Sequence, residues 1–219
     1  MKKMTLGAFA FVSALALAST PGHAVPVNID LSGATTGTLI TAPGGSFAQT
    51  FAGQTVVGGT GISGSPTNPL TLAPSGTLDV AFFDPGVSPA SNSILPEPGN
   101  QGPLSIHLAS SADSITWTMG FADSAGPISV DFFNSQGTLT GAVSQTLLSG
   151  YNVYSFSGVG IFDGVTIFND TDPAGLRFMN FSYTTVPVPG PIVGAGLPGL
   201  ILAGGVLLLL ARHRRQLIA

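Results

Sequence analysis

Apolar and polar residues alternate with period two along several stretches of this chain. Leu78, Val80 and Phe82 alternate with Thr77, Asp79 and Ala81. Leu104, Ile106 and Leu108 alternate with Ser105 and His107. Ile115, Trp117, Met119 and Phe121 form the longest stripe, and Ile128, Val130 and Phe132 alternate with Ser129, Asp131 and Phe133. Further runs lie at 151–157, 163–168 and 176–184. Successive side chains of a strand point to opposite faces, so this period predicts strands with one buried face. About nine or ten short strands between Gly/Pro turns predict an all-β body, an antiparallel β-sandwich of jelly-roll-like type. Residues 58–76 and 84–103 break the pattern and read as long loops, the second carrying Pro85, Pro89, Pro96, Pro98 and Pro103.

The ends follow another logic. Met1-Lys2-Lys3 precedes an apolar run from Leu6 to Ala18, then Ser19-Thr20-Pro21-Gly22-His23-Ala24. A basic start, a short apolar run and small residues at Gly22 and Ala24 predict a secretory signal peptide, residues 1–24, cleaved after Ala24. The run is too short for a membrane-spanning helix. Near the other end, Val186-Pro187-Val188-Pro189-Gly190-Pro191 leads into Ile192–Ala211, which holds no charge, and then Arg212-His213-Arg214-Arg215. A helix over 192–211 would reach roughly 30 Å, one hydrocarbon thickness. The basic cluster Arg212, Arg214 and Arg215 would stay cytoplasmic, and the body would face outward.

A proline-rich motif, one span and a basic terminus, in that order over residues 186–215, resemble the PEP-CTERM sorting domain. Val188 stands where the usual Pro-Glu-Pro motif has Glu. The resemblance implies an exosortase-type processing enzyme as partner. It also implies passage through the inner membrane and retention at the cell envelope or surface of a Gram-negative bacterium. A sortase signal would need Leu-Pro-x-Thr-Gly before the span, whereas Leu197-Pro198-Gly199 lies inside it without Thr. The simpler alternative is a permanent single-pass anchor. Within the body, residues 25–185, the run from Ile128 to Tyr183 resembles the β-sandwich of many PEP-CTERM proteins. Its matching pieces are Val130–Gly137, Tyr154–Val159, Gly164–Ile167 and Phe178–Tyr183. Relatives often carry an Asp where Met179 stands.

Charge narrows the partners. From Val25 to Val186 the one basic residue, Arg177, stands against ten acidic ones, nine of them Asp, for a net charge of −9. Such a body repels phosphate backbones, which excludes nucleic acid and leaves cations, neutral sugars or protein. There is no Cys, so disulfides and Cys-ligated zinc are excluded.

Catalytic chemistry finds no foothold. His107 is the only His after the signal peptide and before the tail, and its place opposite the apolar stripe predicts a surface residue. No spacing singles out a pair of Asp for glycoside hydrolysis. No enzyme activity and no cofactor are expected. Asn169-Asp170-Thr171-Asp172 follows a strand, and oxygen-bearing side chains at alternating positions, Asn169, Asp170 and Asp172, can bind Ca²⁺. Asx-turn chemistry explains the same residues without a metal. Gly58-Gly59-Thr60-Gly61 has neither the helix nor the Lys of a phosphate loop.

Two functional readings follow. The first is a non-enzymatic surface or matrix protein associated with exopolysaccharide or biofilm. The alternative is a carbohydrate-binding module on the same scaffold, which would need an exposed aromatic platform. Trp117 is expected in the core, so Tyr151 and Tyr154 remain for that role.

Overall fold

A computed structural model describes residues 23–83, 91–123, 126–172 and 175–187, together with Gly205. The chain divides into two compact units, Ala24–Val186, and Met1–His23 with Pro187–Ala219. The apolar run of the expected signal peptide, residues Val188–Pro191 of the expected motif, and the basic cluster lie outside the described residues, as does the expected span 192–211 apart from Gly205. Among the described residues no helix is long and apolar enough to cross a membrane.

The unit Ala24–Val186 is all-β among its described residues. Its strands are β1 (Pro26–Asn28), β2 (Ile40–Ala42), β3 (Gly45–Ala48), β4 (Thr50–Phe51), β5 (Thr55–Val57), β6 (Gly61–Ser63) and β7 (Leu72–Ala73). They continue with β8 (Leu78–Phe83), β9 (Ser91–Pro96), β10 (Leu104–Ala122), β11 (Pro127–Phe133), β12 (Leu139–Thr146), β13 (Gly150–Phe168) and β14 (Arg177–Thr185). Ten of them form one antiparallel sheet in the order β12-β11-β13-β10-β14-β9-β8, with β1 on β14, and with β3 joining β2 to β10.

The two longest strands, β10 and β13, each serve two layers. Ser105, Ile106 and His107 of β10 pair with β3 on one side and with Val165–Gly164 and Thr166 of β13 on the other. Further along, Ser114–Met119 pair with residues 152–157 of β13, and the same part of β10 pairs with β14. Between these halves the register shifts from His107↔Gly164 through Ala112↔Phe162 to Ser114↔Ser157. Gly158 and Gly160 sit in that interruption with φ of 73° and 85°, a conformation that costs a side-chain-bearing residue steric strain. Irregularities of this kind let one strand turn the corner between two packed sheets.

Ring contacts show the layers facing each other. Phe47 of β3 lies 5.1 Å from Phe181 of β14, and Phe132 of β11 lies 5.7 Å from the Phe156 end of β13, although neither pair of segments shares a ladder. Trp117 stacks on Phe156 at 4.7 Å and is wholly buried. One core cluster runs through both layers, including Phe47, Ile106, Ile115, Trp117, Val130, Phe132 and Phe181. Burial of so many aromatic and β-branched side chains is the main force holding the layers together.

The structure departs from the alternation reading in six places. The runs at 104–108 and 115–121 are one strand, and those at 151–157 and 163–168 another, because the bulged corner interrupts the pattern without ending the strand. Phe82 leaves the core: along β8 Leu78 is buried, Val80 is half-buried and Phe82 is 69% exposed, so burial on this stripe falls away toward the end of the strand. Phe121 is also exposed, because its φ of 71° turns it off the stripe at the end of β10. The loop read at 84–103 contains β9, and that at 58–76 contains β6 and β7.

Candidate binding groove

The inner face of the second layer carries Ile115, Trp117 and Met119; its outer face carries Thr116 and Thr118 from the same strand. Thr116 pairs with Ser155 on β13 and Ser182 on β14, and its hydroxyl shares a 3.0 Å hydrogen bond with that of Ser155. Thr118 pairs with Val153 and Met179. Alternation therefore sends hydroxyls outward wherever it sends aromatic rings inward.

A groove of about 850 Å³ lies over this face. Thr116, Thr118, Val153, Asn180 and Ser182 come from the three central strands, and Asn28 from β1. One wall is the segment that follows β1. Ile29 N–H donates to Phe181 O at 2.9 Å, and the Asn92 side-chain amide donates to Leu31 O at 2.8 Å. The segment is thus pinned between β14 and β9. Within it, Ser32 N–H donates to Asp30 Oδ1 at 2.9 Å, which holds the Asp30 carboxyl below its ordinary value. Phe82 and Ser91 complete the lining on the side of β8 and β9. Among the described residues the lining mixes hydroxyls, amides, one carboxylate and two exposed apolar groups, Phe82 and Val153.

Beyond Thr118, the outer face continues to a compact aromatic group. Gly120, two residues on, pairs with Arg177. A Cβ on Gly120 would fall inside the Tyr151 ring, so glycine is what lets Tyr151 lie across β10. Tyr151 stacks on Phe83 with centroids 5.0 Å apart, and the Arg177 guanidinium lies 4.8 Å from the Phe83 centroid and 5.5 Å from that of Phe121. Distances of this order suit cation–π attraction.

The other sequence-predicted residues fall elsewhere. Tyr154 is buried and its hydroxyl accepts from Leu148 N–H at 3.0 Å, so it offers no platform. His107 is half-buried on the other layer rather than on an open surface; burial lowers its pKa and Asp163 opposes that shift. It lies opposite Ser46 and Gly164 because the first half of β10 is a central strand with a neighbour on each side.

The turn at 169–172 is divided. Asn169 sends its amide to Ser129 Oγ at 3.1 Å, whereas Asp170 and Asp172 are both buried. Asp172 N–H donates to Asp170 Oδ1 at 2.8 Å, an Asx turn, and Asp172 Oδ2 accepts from Asp123 N–H at 2.6 Å. Burial pushes the Asp170 carboxyl up to about 6, and its Oδ2 has no hydrogen-bond partner. Among the described residues no group of three or more His, Cys, Asp or Glu could hold a metal ion. Val186 N–H donates to Ser111 O at 3.1 Å, so the chain is held to the body up to the first residue of the Val-Pro-Val-Pro run, with Pro187 exposed just beyond it. Ala24 is exposed next to β1.

No protein-family model matches this chain, and no curated protein matches it. Among solved structures, a family 29 carbohydrate-binding module in complex with mannohexaose is similar, with 14% identity, a TM-score of 0.37, and coverage of 74% of this chain and 93% of the module. Another mutant of a family 29 module has 15% identity, a TM-score of 0.37, and coverage of 77% of this chain and 100% of the module. One in complex with cellulohexaose has 14% identity and a TM-score of 0.32, over 65% and 92%. Likenesses this loose carry no ligand and no residue role to the present chain.

Asn28, Asn92 and Asn180 gave no sequence signal, since short polar residues between strands are ordinary. Arg177 did carry one: it is the lone basic residue of the body.

Proposed function

We propose that this chain is a non-enzymatic polysaccharide-binding protein of the bacterial cell surface, exported by its N-terminal signal and sorted through its C-terminal tail. The observation that carries the binding reading is the groove on the outer sheet face. A sugar ring presents hydroxyls around its rim and C–H groups on its faces. Thr116, Thr118, Asn92 and Ser182 offer hydrogen-bonding groups to the rim, and Phe82, 69% exposed, offers an apolar surface to a ring face. Glycoside hydrolysis by paired carboxylates is disfavoured, because Asp30 is the one carboxylate among the described residues of the lining. This makes the carbohydrate-binding alternative the leading reading of the body, and association with exopolysaccharide its natural setting.

Binding is tested by screening the purified full chain on an oligosaccharide array, with Asn92→Ala and Phe82→Ala alongside. Retention of native signal by both variants would place the ligand elsewhere, and no bound glycan would end the reading. Sorting rests on the order Val186–Pro191, 192–211, Arg212–Arg215. An epitope placed after Ala219 should be lost from the mature species only when the host's processing enzyme is present. Its retention in both backgrounds would leave the permanent single-pass anchor.

A further inference from the structure

Arg177 is the only basic residue between Val25 and Val186, in a body with ten acids, yet no carboxylate among the described residues lies in ion-pair range of it. A guanidinium has five N–H donors. Among the described residues Arg177 makes one hydrogen bond, from Nη1 to Ser93 Oγ at 3.4 Å, and that hydroxyl itself donates to Ala81 O at 2.9 Å. Arg177 Nε is buried without an acceptor. The Tyr151 hydroxyl and Ser91 Oγ are also buried and unpartnered. All three surround Phe83: Arg177 lies over its ring, Tyr151 stacks on it, and Ser91 is its cross-strand partner. Burial raises the Tyr151 pKa, and the nearby Arg177 charge acts to lower it, so the two groups feel each other.

A half-buried cation with no counter-ion among the described residues, beside two further unpartnered hydroxyls, is a costly arrangement. Its energetics improve if an anion supplies the missing acceptors. The cluster lies one step along β10 from the groove floor, on the same sheet face, and Ser91 belongs to both. We infer that this end of the groove is a subsite for a carboxylate-bearing sugar, a uronic acid unit of an acidic polysaccharide, received by Arg177 and Tyr151. The inference rests on the polysaccharide-binding reading and specifies its ligand class. Phe121, 45% exposed, lies 5.5 Å from the guanidinium, and a shift of this ring would open the way for the carboxylate. The planar guanidinium then gives two parallel hydrogen bonds, and the Tyr151 hydroxyl a third. The body's net charge of −9 opposes approach of a polyanion at long range, so recognition depends on this local contact, and added salt relieves the repulsion.

The test is calorimetric titration of the purified full chain with hexamers of galacturonate, mannuronate and guluronate, with their methyl esters, and with neutral hexamers of glucose and mannose. Thermal melts check the folding of each variant. At least one uronate hexamer should bind, more tightly than its ester. Arg177→Gln should weaken it about tenfold or more, and Tyr151→Phe, which removes only the hydroxyl, about fivefold, while neither changes binding of neutral hexamers. Should Arg177→Gln fail to fold, Tyr151→Phe and the acid-to-ester ratio decide the matter. Equal affinity for acid, ester and neutral hexamers, insensitive to both variants, would overturn the subsite and leave the groove reading standing. No binding of any hexamer would overturn both.

Discussion

The two faces of one sheet, three strands wide, are built from the same segments and do opposite things. Ile115, Trp117 and Met119 of β10, with Phe156 and Phe181, form an apolar inner face that is almost entirely buried. Between them, Thr116 and Thr118 of β10 and Ser182 of β14 form an outer face that carries hydroxyls under an open groove. Backbone geometry is shared, so the difference is chemistry alone. The inner face stabilises the fold, and the outer face is free to be specific because the fold does not depend on it.

Four measurements would break or sharpen that contrast. Trp117→Ala should cost about 3–5 kcal/mol of folding free energy in chemical denaturation, since it empties the centre of the core. A loss below about 1 kcal/mol would mean the layers are not held together there. Gly158→Val forces a branched side chain into φ of 73° at the corner where β13 changes layer, and should cost about 1–3 kcal/mol. Asp170→Asn should stabilise the protein by about 1–2 kcal/mol at pH 7, discounted for partial solvent access. The sign follows from proton uptake. Asp170 titrates at about 6 in the fold against 3.8 for an ordinary Asp, so the folded state binds the proton more tightly. Its contribution is most favourable below about pH 4 and declines as pH rises to about 6. The difference between native protein and variant should therefore vanish in acid, and a constant difference across pH 3–8 would contradict the burial. Phe82→Ala, near the exposed end of β8, should change stability by no more than about 0.5 kcal/mol while reducing glycan binding.

Which parts were legible in the sequence follows from the same contrast. Period-two stripes mark residues with one buried face, so Trp117, Ile106, Val130 and Phe132 were recognisable as core before any coordinates. The stripe on β10 stops being informative where geometry breaks the pleat. Phe121 continues the alternation in letters, but a positive φ rotates it outward. Phe82 continues it too, yet is exposed near the end of β8. Strand length was hidden because a bulged corner and a loop both appear as Gly and Ser in a single sequence. The groove could not be read at all. Asn28, Asn92 and Asn180 become neighbours only through the pairing of β1, β14 and β9, which are distant in sequence. Arg177 was visible by rarity, but its aromatic surroundings come from β8, β10 and β13 and depend on the missing side chain at Gly120, whose place the Tyr151 ring takes.

The pairing of the first and last strands has a mechanical consequence. β1 lies beside β14, and Val25 and Thr185 exchange backbone hydrogen bonds with each other's side chain and main chain, so both ends of the body emerge at one edge. β14 also carries Asn180 and Ser182 on the groove floor and Arg177 at the groove's end. A pull applied at residue 186 and a pull applied by a polymer in the groove therefore meet on the same strand. That strand is laced to β10 along one side and to β1 and β9 along the other, so the load shears several ladders at once instead of unzipping them one bond at a time.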